Sequence, residues 1–329
     1  MYRSFFGLSR NPFEISPDPY FFFPTARHNE ALANLYYGIR KQKGFVVVTG
    51  EVGTGKTLLI RCLLETLRRT QIAFAYVFNP RLSTDQFLQY MMGDLGLPYS
   101  GKNKSELLLS LNDFLIGRYR RGLPTALIVD EAQQLEADVL EEIRLLTNLE
   151  TSQQKLMQIV LAGQPELDVK LDSIELRQLK QRIALRCKLD ALRPEETPTY
   201  IQKRLQLAGR KEPNQNIFQP EAIAVIHKFS QGIPRLINTL CENSLLIAFA
   251  VQSTTVTAEM VNEVAADFRL QIQSTNLNGK VKNELSAERR KSILKAFSGT
   301  LSAEGSTDSL SESVAREESV GGKKGRFNA

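Results

Sequence analysis

Cysteine and histidine are scarce in this chain, and their scarcity argues against disulfide-built and Cys/His metal-binding proteins. Its 329 residues include three cysteines and two histidines, and tryptophan is absent. Cys62, Cys187 and Cys241 lie far apart in apolar stretches, without the spacing of a disulfide framework or of a zinc site. We therefore expect buried, inert thiols in a reducing compartment.

Long apolar runs are missing as well. No run approaches the roughly 20 residues that a membrane-spanning helix needs, and the start MYRSFFGLSRNPF lacks the apolar core of a signal peptide. We expect a cytoplasmic protein with no transmembrane segment, which a partner could hold at the inner face of the membrane. The net charge of +6 is a mild excess that permits contact with nucleic acid without arguing for it.

Strand and helix patterns alternate from residue 45 onward. The strand signals are short and almost wholly apolar, and helical patterns lie between them. Such strands predict a parallel sheet covered by helices on both faces, which is a doubly wound α/β domain. The predicted strands are 45–49, 72–78, 125–130, 157–162 and 183–189.

Composition divides the chain further. An aromatic strap and a helix occupy 1–44, and the strand-and-helix core occupies 45–191. Helical patterns alone fill 192–270, which predicts a small helical domain. Residues 271–329 form a polar tail that we expect to be mostly disordered, apart from a basic amphipathic helix at 284–297.

The segment GEVGTGKT matches the phosphate-binding pattern G-x-x-x-x-G-K-[ST] at every position. It follows an apolar strand and opens a helix, so its backbone N–H groups and the positive helix end would face an anion. Lys56 would bridge the β- and γ-phosphates, and the Thr57 hydroxyl would ligate Mg²⁺. The residues expected to bind nucleotide are Gly50, Glu51, Val52, Gly53, Thr54, Gly55, Lys56, Thr57, Leu58 and Asp130.

The segment ALIVDEAQ is an apolar strand that ends in two acids. Asp130 at the strand tip would hold Mg²⁺ through water, and Glu131 would polarise the attacking water as general base. A motif that reads guanine is absent from the sequence. The two segments together predict an ATPase that uses ATP and Mg²⁺.

The order of several motifs is similar to that of one ATPase family. Over about residues 1–270 the chain resembles the AAA+ ATPases of the ExeA group, the general secretion pathway protein A family, which includes secretion ATPases of exosortase loci. The resemblance implies a P-loop AAA+ core with a small C-terminal helical lid. The matching segments are MYRSFFGL, NPF, SPDPYFFFP, HNEAL, YYG, GFVVVTGEVGTGKT, LIVDEAQ, LAGQPEL, QRI and GIPRLIN.

This resemblance also implies roles outside the phosphate loop. Gln164 is similar to the sensor that orients the attacking water, although a polar loop cap is the alternative. Arg182 resembles the arginine finger that reaches a neighbouring subunit; Arg177 is the other candidate, and either could be a plain surface charge. Arg235 is similar to the second sensor, which reports the γ-phosphate to the lid, or is a surface arginine at a helix start.

The base-binding residues are less well defined by sequence. His28 has no metal-ligand partner nearby in the sequence, so we expect it to cap a helix or to contact the base region. Ile233 and Pro234 are candidates to touch adenine. Tyr36 and Tyr37 could line the same pocket, and a plain core role fits them equally well.

Three functions remain open at this point. The first is a homo-oligomeric ATPase with an envelope or secretion-system protein partner, active in secretion, pilus or exopolysaccharide systems. The second is a DNA-acting ATPase of the transposition-regulator type, for which the basic segment at 120–122 and the surroundings of Arg182 are the only candidate contacts. The third is a nucleotide-binding scaffold, against which Glu131 argues because a pure binder needs no general base.

Overall fold

A computed structural model describes residues 2–78, 80–152, 154–209 and 216–270. All of these residues fall within one compact unit. The polar tail and its predicted helix at 284–297 lie outside the described residues.

The sheet has five parallel strands in the order β2-β3-β4-β1-β5. Every residue of β1, β3 and β4 is buried, as continuous apolar strands require when helices cover both faces. The predicted doubly wound α/β fold is therefore confirmed. The strands are β1 Phe45–Gly50, β2 Ala73–Val77, β3 Thr125–Val129, β4 Met157–Gly163 and β5 Ile183–Leu189.

Helices cover the two faces of the sheet. One apolar core joins α2 and α3 to the sheet, and a second joins α4 to α8 to its other face. The helices around the sheet are α2 Ala26–Arg40, α3 Lys56–Arg68, α4 Thr84–Asp94, α5 Lys104–Tyr119, α6 Ala137–Leu146, α7 Pro165–Leu171 and α8 Arg177–Lys180.

Helix α7 differs from the sequence-based expectation. The sequence pattern between the last two predicted strands predicts one helix, at about 174–181, whereas the structure has two, and the first begins directly after β4. Pro165 occupies the first position of α7, where its missing N–H costs no hydrogen bond and its fixed φ suits the helix. The chain therefore turns from strand to helix within two residues.

A third apolar core joins the N-terminal strap to the C-terminal helices. Aromatic side chains of the strap, among them Phe6, Phe13 and Phe21, are buried against α9 to α12. The strap is thus tied to the helical region, while the predicted limits of the domains stay predictions. These elements are α1 Tyr2–Phe5, α9 Glu196–Leu207, α10 Pro220–Ser230, α11 Pro234–Ala250 and α12 Ala258–Asp267.

Two expectations concern membranes and thiols. Among the described residues, each helix is too short or too polar to cross a bilayer.

Cys187 and Cys241 are buried as expected, whereas Cys62 on α3 is only partly buried. Burial nevertheless raises the pKa of Cys62 to about 11, which keeps its thiol protonated and unreactive near neutral pH.

Candidate functional site

The loop between β1 and α3 carries the phosphate-binding pattern. Gly53 and Gly55 adopt φ values of +84° and +101°, which side-chain-bearing residues rarely reach. Gly55 is the N-cap of α3, so the loop ends at the positive end of that helix. A Cβ at Gly53 would lie 2.8 Å from the Cβ of Arg235, because the start of α11 packs directly on the loop.

Lys56 is folded into this loop. Its Nζ donates hydrogen bonds to the carbonyl oxygens of Gly50, at 2.7 Å, and Glu51, at 2.9 Å. Burial lowers the pKa of Lys56, and the carboxylates of Glu131 and Asp130 oppose that shift. The ammonium group therefore lies within the loop and near both acids of the second motif.

Thr57 and Asp130 bring oxygen atoms together. The Thr57 hydroxyl donates to Oδ2 of Asp130 at 2.8 Å, and the Tyr76 hydroxyl donates to the same oxygen at 3.4 Å. Burial raises the pKa of Asp130, whereas the hydrogen bonds from Thr57 and from the Glu131 N–H counteract that rise. Hard oxygen donors of this kind fit Mg²⁺, which usually takes its other ligands from phosphate and water.

Within the described ranges, His, Cys, Asp and Glu side chains do not gather in groups of three or more that could hold a metal ion. The Thr57 hydroxyl and the Asp130 carboxylate would hold Mg²⁺ together with oxygens of the nucleotide.

Glu131 is held between two amide side chains. Its Oε2 accepts from Nε2 of Gln133 at 2.7 Å and from Nε2 of Gln164 at 3.2 Å. The backbone N–H of Gln164 donates to Oε1 of Gln133 at 3.0 Å, which closes the network. Gln133 was not among the predicted site residues, although it lies two residues after Glu131 in the same motif.

A cavity of about 280 Å³ connects the loop to the lid and to the strap. Arg235, exposed near the start of α11, lines it, and the backbone N–H of Arg235 donates to the Gly53 carbonyl at 3.3 Å. The sequence did not predict that residues of the strap and of α9 line this cavity, because both are remote in sequence from the phosphate loop. The other lining residues are Ile15, Ser16, Pro17, Val52, Gly53, Gly55, Lys56, Thr57, Leu58, Glu131, Gln164, Tyr200, Arg204, Pro234 and Asn238.

Two arginines fix the strap segment that lines the cavity. Arg204 on α9 donates from Nη1 to the Pro12 carbonyl at 2.7 Å, and Arg61 on α3 donates from Nη1 to the Pro17 carbonyl at 2.6 Å. The Arg204 guanidinium also lies over the ring of Phe21, 5.1 Å from its centroid. The segment between the two prolines is therefore anchored to both the lid and the phosphate-loop helix.

The candidate adenine contacts differ in position. Pro234 lines the cavity, and Ile233 packs on the loop, since a Cβ at Gly53 would lie 2.9 Å from its Cγ2. Tyr36 packs with the α2–α3 core and accepts a hydrogen bond from Arg40, so it lies away from the cavity lining.

Arg182, the first arginine-finger candidate, lies at the amino ends of the strands, opposite the phosphate loop. Arg182 immediately precedes β5, and β5 runs parallel to β1. Because a strand rises about 3.3 Å per residue, the length of β1 separates Arg182 from the phosphate loop by roughly 17 Å. Arg182 donates to the Thr147 hydroxyl, and Arg177 is exposed on α8. The structure thus brings the other proposed site residues together and leaves these two arginines apart.

Comparisons with known proteins support the predicted AAA-type fold. Residues 39–171 match the family model described as an AAA domain. General secretion pathway protein A of Aeromonas hydrophila is 47% identical over 251 residues, which cover 76% of this chain and 45% of that protein. The chain thus spans less than half the length of this curated relative.

Solved structures show the same fold at low sequence identity. The Aeropyrum pernix ORC2 protein matches with a TM-score of 0.57 at 18% identity, over 79% of this chain and 72% of that one. The Thermotoga maritima RuvB Holliday junction branch migration motor matches with a TM-score of 0.52 at 16% identity, over 86% and 82%.

Proposed function

We propose that this chain, which carries an AAA domain and is similar to general secretion pathway protein A, is an ATPase that supports the assembly or export of cell-envelope components. One observation carries the catalytic part: Lys56, Thr57 and Glu131 line a single cavity between the phosphate loop and the lid, and the Thr57 hydroxyl is hydrogen-bonded to Asp130. These are the groups that phosphoryl transfer to water needs.

Each group has a distinct part in the proposed hydrolysis. The loop N–H groups and Lys56 bind the phosphates, while Thr57 and Asp130 would hold Mg²⁺, whose charge offsets that of the β- and γ-phosphates. Glu131 accepts a proton from the attacking water. Gln164 keeps the Glu131 carboxylate oriented, with Gln133 as its second amide partner.

The lid and a second subunit would complete the site. Arg235 starts a helix that packs on the phosphate loop, so it can contact the γ-phosphate and couple its presence to the position of the lid. Because Arg182 lies far from its own loop, its charge can act on the nucleotide only from a neighbouring copy. A homo-oligomer with Arg182, or alternatively Arg177, as the finger is therefore part of the proposal.

Similarity to general secretion pathway protein A supports the envelope role. The motif set also resembles the exosortase-associated members of that group, which favours an exopolysaccharide or exosortase setting. A cytoplasmic location, with attachment to the membrane through a partner protein, is compatible with a secretion role and with an exopolysaccharide or exosortase setting.

A DNA-acting ATPase is the second candidate. Arg120 and Arg121 are exposed at the end of α5, where their charges could contact phosphodiesters. RuvB, which shares the fold, is described as a Holliday junction motor. Duplex binding that weakens steeply with salt and disappears when both arginines are changed to Gln would favour this candidate.

The test of ATP binding uses Lys56→Ala. We expect loss of ATP binding and of hydrolysis, because the loop loses the cation that faces the phosphates. Circular dichroism should stay at the wild-type level, and Lys228→Ala, which changes an exposed lysine near the end of α10, should keep full activity. Wild-type ATPase turnover in Lys56→Ala would refute the proposed site.

A further inference from the structure

His28 joins helix α2 to the phosphate loop. It is the third residue of α2 and is 5% exposed. Its Nε2 lies 3.1 Å from the carbonyl oxygen of Thr54, which is completely buried, and its Nδ1 lies 2.7 Å from the Thr25 hydroxyl. A histidine with both ring nitrogens in contact has a fixed ring orientation.

The hydrogen-bond partners define the form of the ring. A carbonyl oxygen can only accept, so Nε2 of His28 carries the proton. Burial lowers the pKa of His28 and keeps the ring neutral, which leaves Nδ1 as the acceptor of the Thr25 hydroxyl proton. The same Thr25 oxygen accepts from the backbone N–H of His28 at 3.2 Å. All of these polar groups are therefore satisfied.

The Thr54 carbonyl belongs to the peptide unit that also carries the N–H of Gly55. In a planar trans peptide, the C=O and N–H bonds point in opposite directions. A hydrogen bond from His28 to the carbonyl consequently directs the Gly55 N–H away from α2. Gly55 lines the cavity and is the N-cap of α3, where unpaired N–H groups meet an anion.

Space around Gly55 also favours this arrangement. The loop adopts its left-handed φ of +101° at Gly55, and a Cβ there would lie only 3.3 Å from Nε2 of His28. The ring therefore packs closely on the residue whose amide it orients.

We infer that His28 is a positioning residue for phosphate binding, which holds the Thr54–Gly55 peptide so that the Gly55 N–H faces the phosphates. The inference rests on the proposed nucleotide site and adds a residue from outside its motifs. His28 acts through the loop and does not itself touch the nucleotide.

The experiment compares His28→Leu with His28→Gln. Leucine cannot donate to the Thr54 carbonyl, whereas the Nε2 amide of glutamine can reach a position close to that of the ring Nε2. We expect His28→Leu to weaken the binding of ATP and of inorganic tripolyphosphate by the same factor, about tenfold, because a misdirected N–H affects phosphates alone. His28→Gln should restore both affinities to within about threefold of wild type.

Two further variants keep the result interpretable. Arg27→Gln changes an exposed neighbour on α2 and should leave both affinities unchanged. Thr25→Val removes the hydroxyl that fixes the ring and should weaken both ligands in parallel, which tests the inference if His28→Leu fails to fold.

Several outcomes would overturn the inference. One is unchanged tripolyphosphate affinity in His28→Leu with a lowered melting temperature, which would make His28 a core residue only. Equal losses in the Leu and Gln variants would show that the donor is irrelevant. If the wild-type protein binds neither ATP nor tripolyphosphate, the proposed function itself fails instead.

Discussion

At the scale of single residues, the backbone of Glu131 is unusual. Its φ of +52° lies in the left-handed region, which costs on the order of 1–3 kcal/mol for a residue with a side chain. Its carboxylate accepts hydrogen bonds from Gln133 and Gln164, which fix its direction. Such local strain concentrates at functional positions, and it agrees with the proposed role of Glu131 as general base.

Glu131→Gln should separate chemistry from binding. Glutamine keeps the size of the side chain but cannot accept the proton of the attacking water. We expect ATP binding near the wild-type level and turnover lowered by about 10²-fold or more, measured by equilibrium binding and steady-state phosphate release.

The matched control is Glu136→Gln, an exposed acid five residues further on, which should change neither quantity. Loss of ATP binding together with unchanged turnover per bound nucleotide would assign Glu131 a structural role instead.

At the scale of elements, the N-terminal strap connects the two sides of the cavity. Arg204 holds it to α9 and Arg61 holds it to α3, and the segment between these contacts lines the same cavity as Lys56. In the proposed site Lys56 faces the phosphates, which leaves the strap as a candidate contact for the base of the nucleotide. We therefore expect the strap to contribute to base binding, although it contains no nucleotide motif.

Arg61→Gln should weaken base binding selectively. Arg61 is exposed, so its loss should not impair folding, but the strap at Pro17 loses a charged hydrogen bond. We expect affinity for ATP to fall about threefold to tenfold, with tripolyphosphate affinity unchanged. Calorimetric titration with both ligands measures the difference.

Arg68→Gln, an exposed arginine on the same helix, serves as the control and should bind both ligands normally. A parallel loss for ATP and tripolyphosphate in Arg61→Gln would mean that the strap supports the loop and not the base.

At the scale of the whole molecule, the residues of the proposed reaction lie at opposite ends of the strands. The carboxyl ends of the strands hold Lys56, Asp130 and Gln164, and the opposite edge holds Arg182. Within one chain Arg182 donates to Thr147, a bond that it would exchange for a partner's phosphate. Under the proposed mechanism, a single copy therefore has an incomplete site.

ATPase activity per chain should consequently rise with protein concentration, as copies associate and supply Arg182 to one another. Arg182→Ala should bind ATP but hydrolyse it slowly. Mixing Arg182→Ala with Lys56→Ala should recover part of the activity, because some interfaces then join an intact loop to an intact finger. Phosphate release across a dilution series and in the mixture measures both effects.

Arg177→Ala is the companion variant and should retain activity if Arg182 is the finger. Turnover that is independent of concentration, with no recovery in the mixture, would show that Arg182 does not act between subunits. In that case Arg177 becomes the candidate to test.

The sequence alone determined the sheet and the core of the candidate site. Short apolar runs between helical patterns favour buried parallel strands, and every predicted strand end lies within one residue of the observed end. The loop from Gly50 to Thr57 could also be predicted from the sequence, because its glycines and its position between strand and helix fix the backbone locally.

Only the tertiary structure decided which remote groups join that loop. His28 and Thr54 are 26 residues apart, and Arg204 and Pro12 are 192 apart. No local pattern encodes these pairs, since they depend on how α2, α9 and the strap pack around separate apolar cores. The placement of Arg182 at the far edge likewise follows from the parallel pairing of β5 with β1, which long-range packing sets.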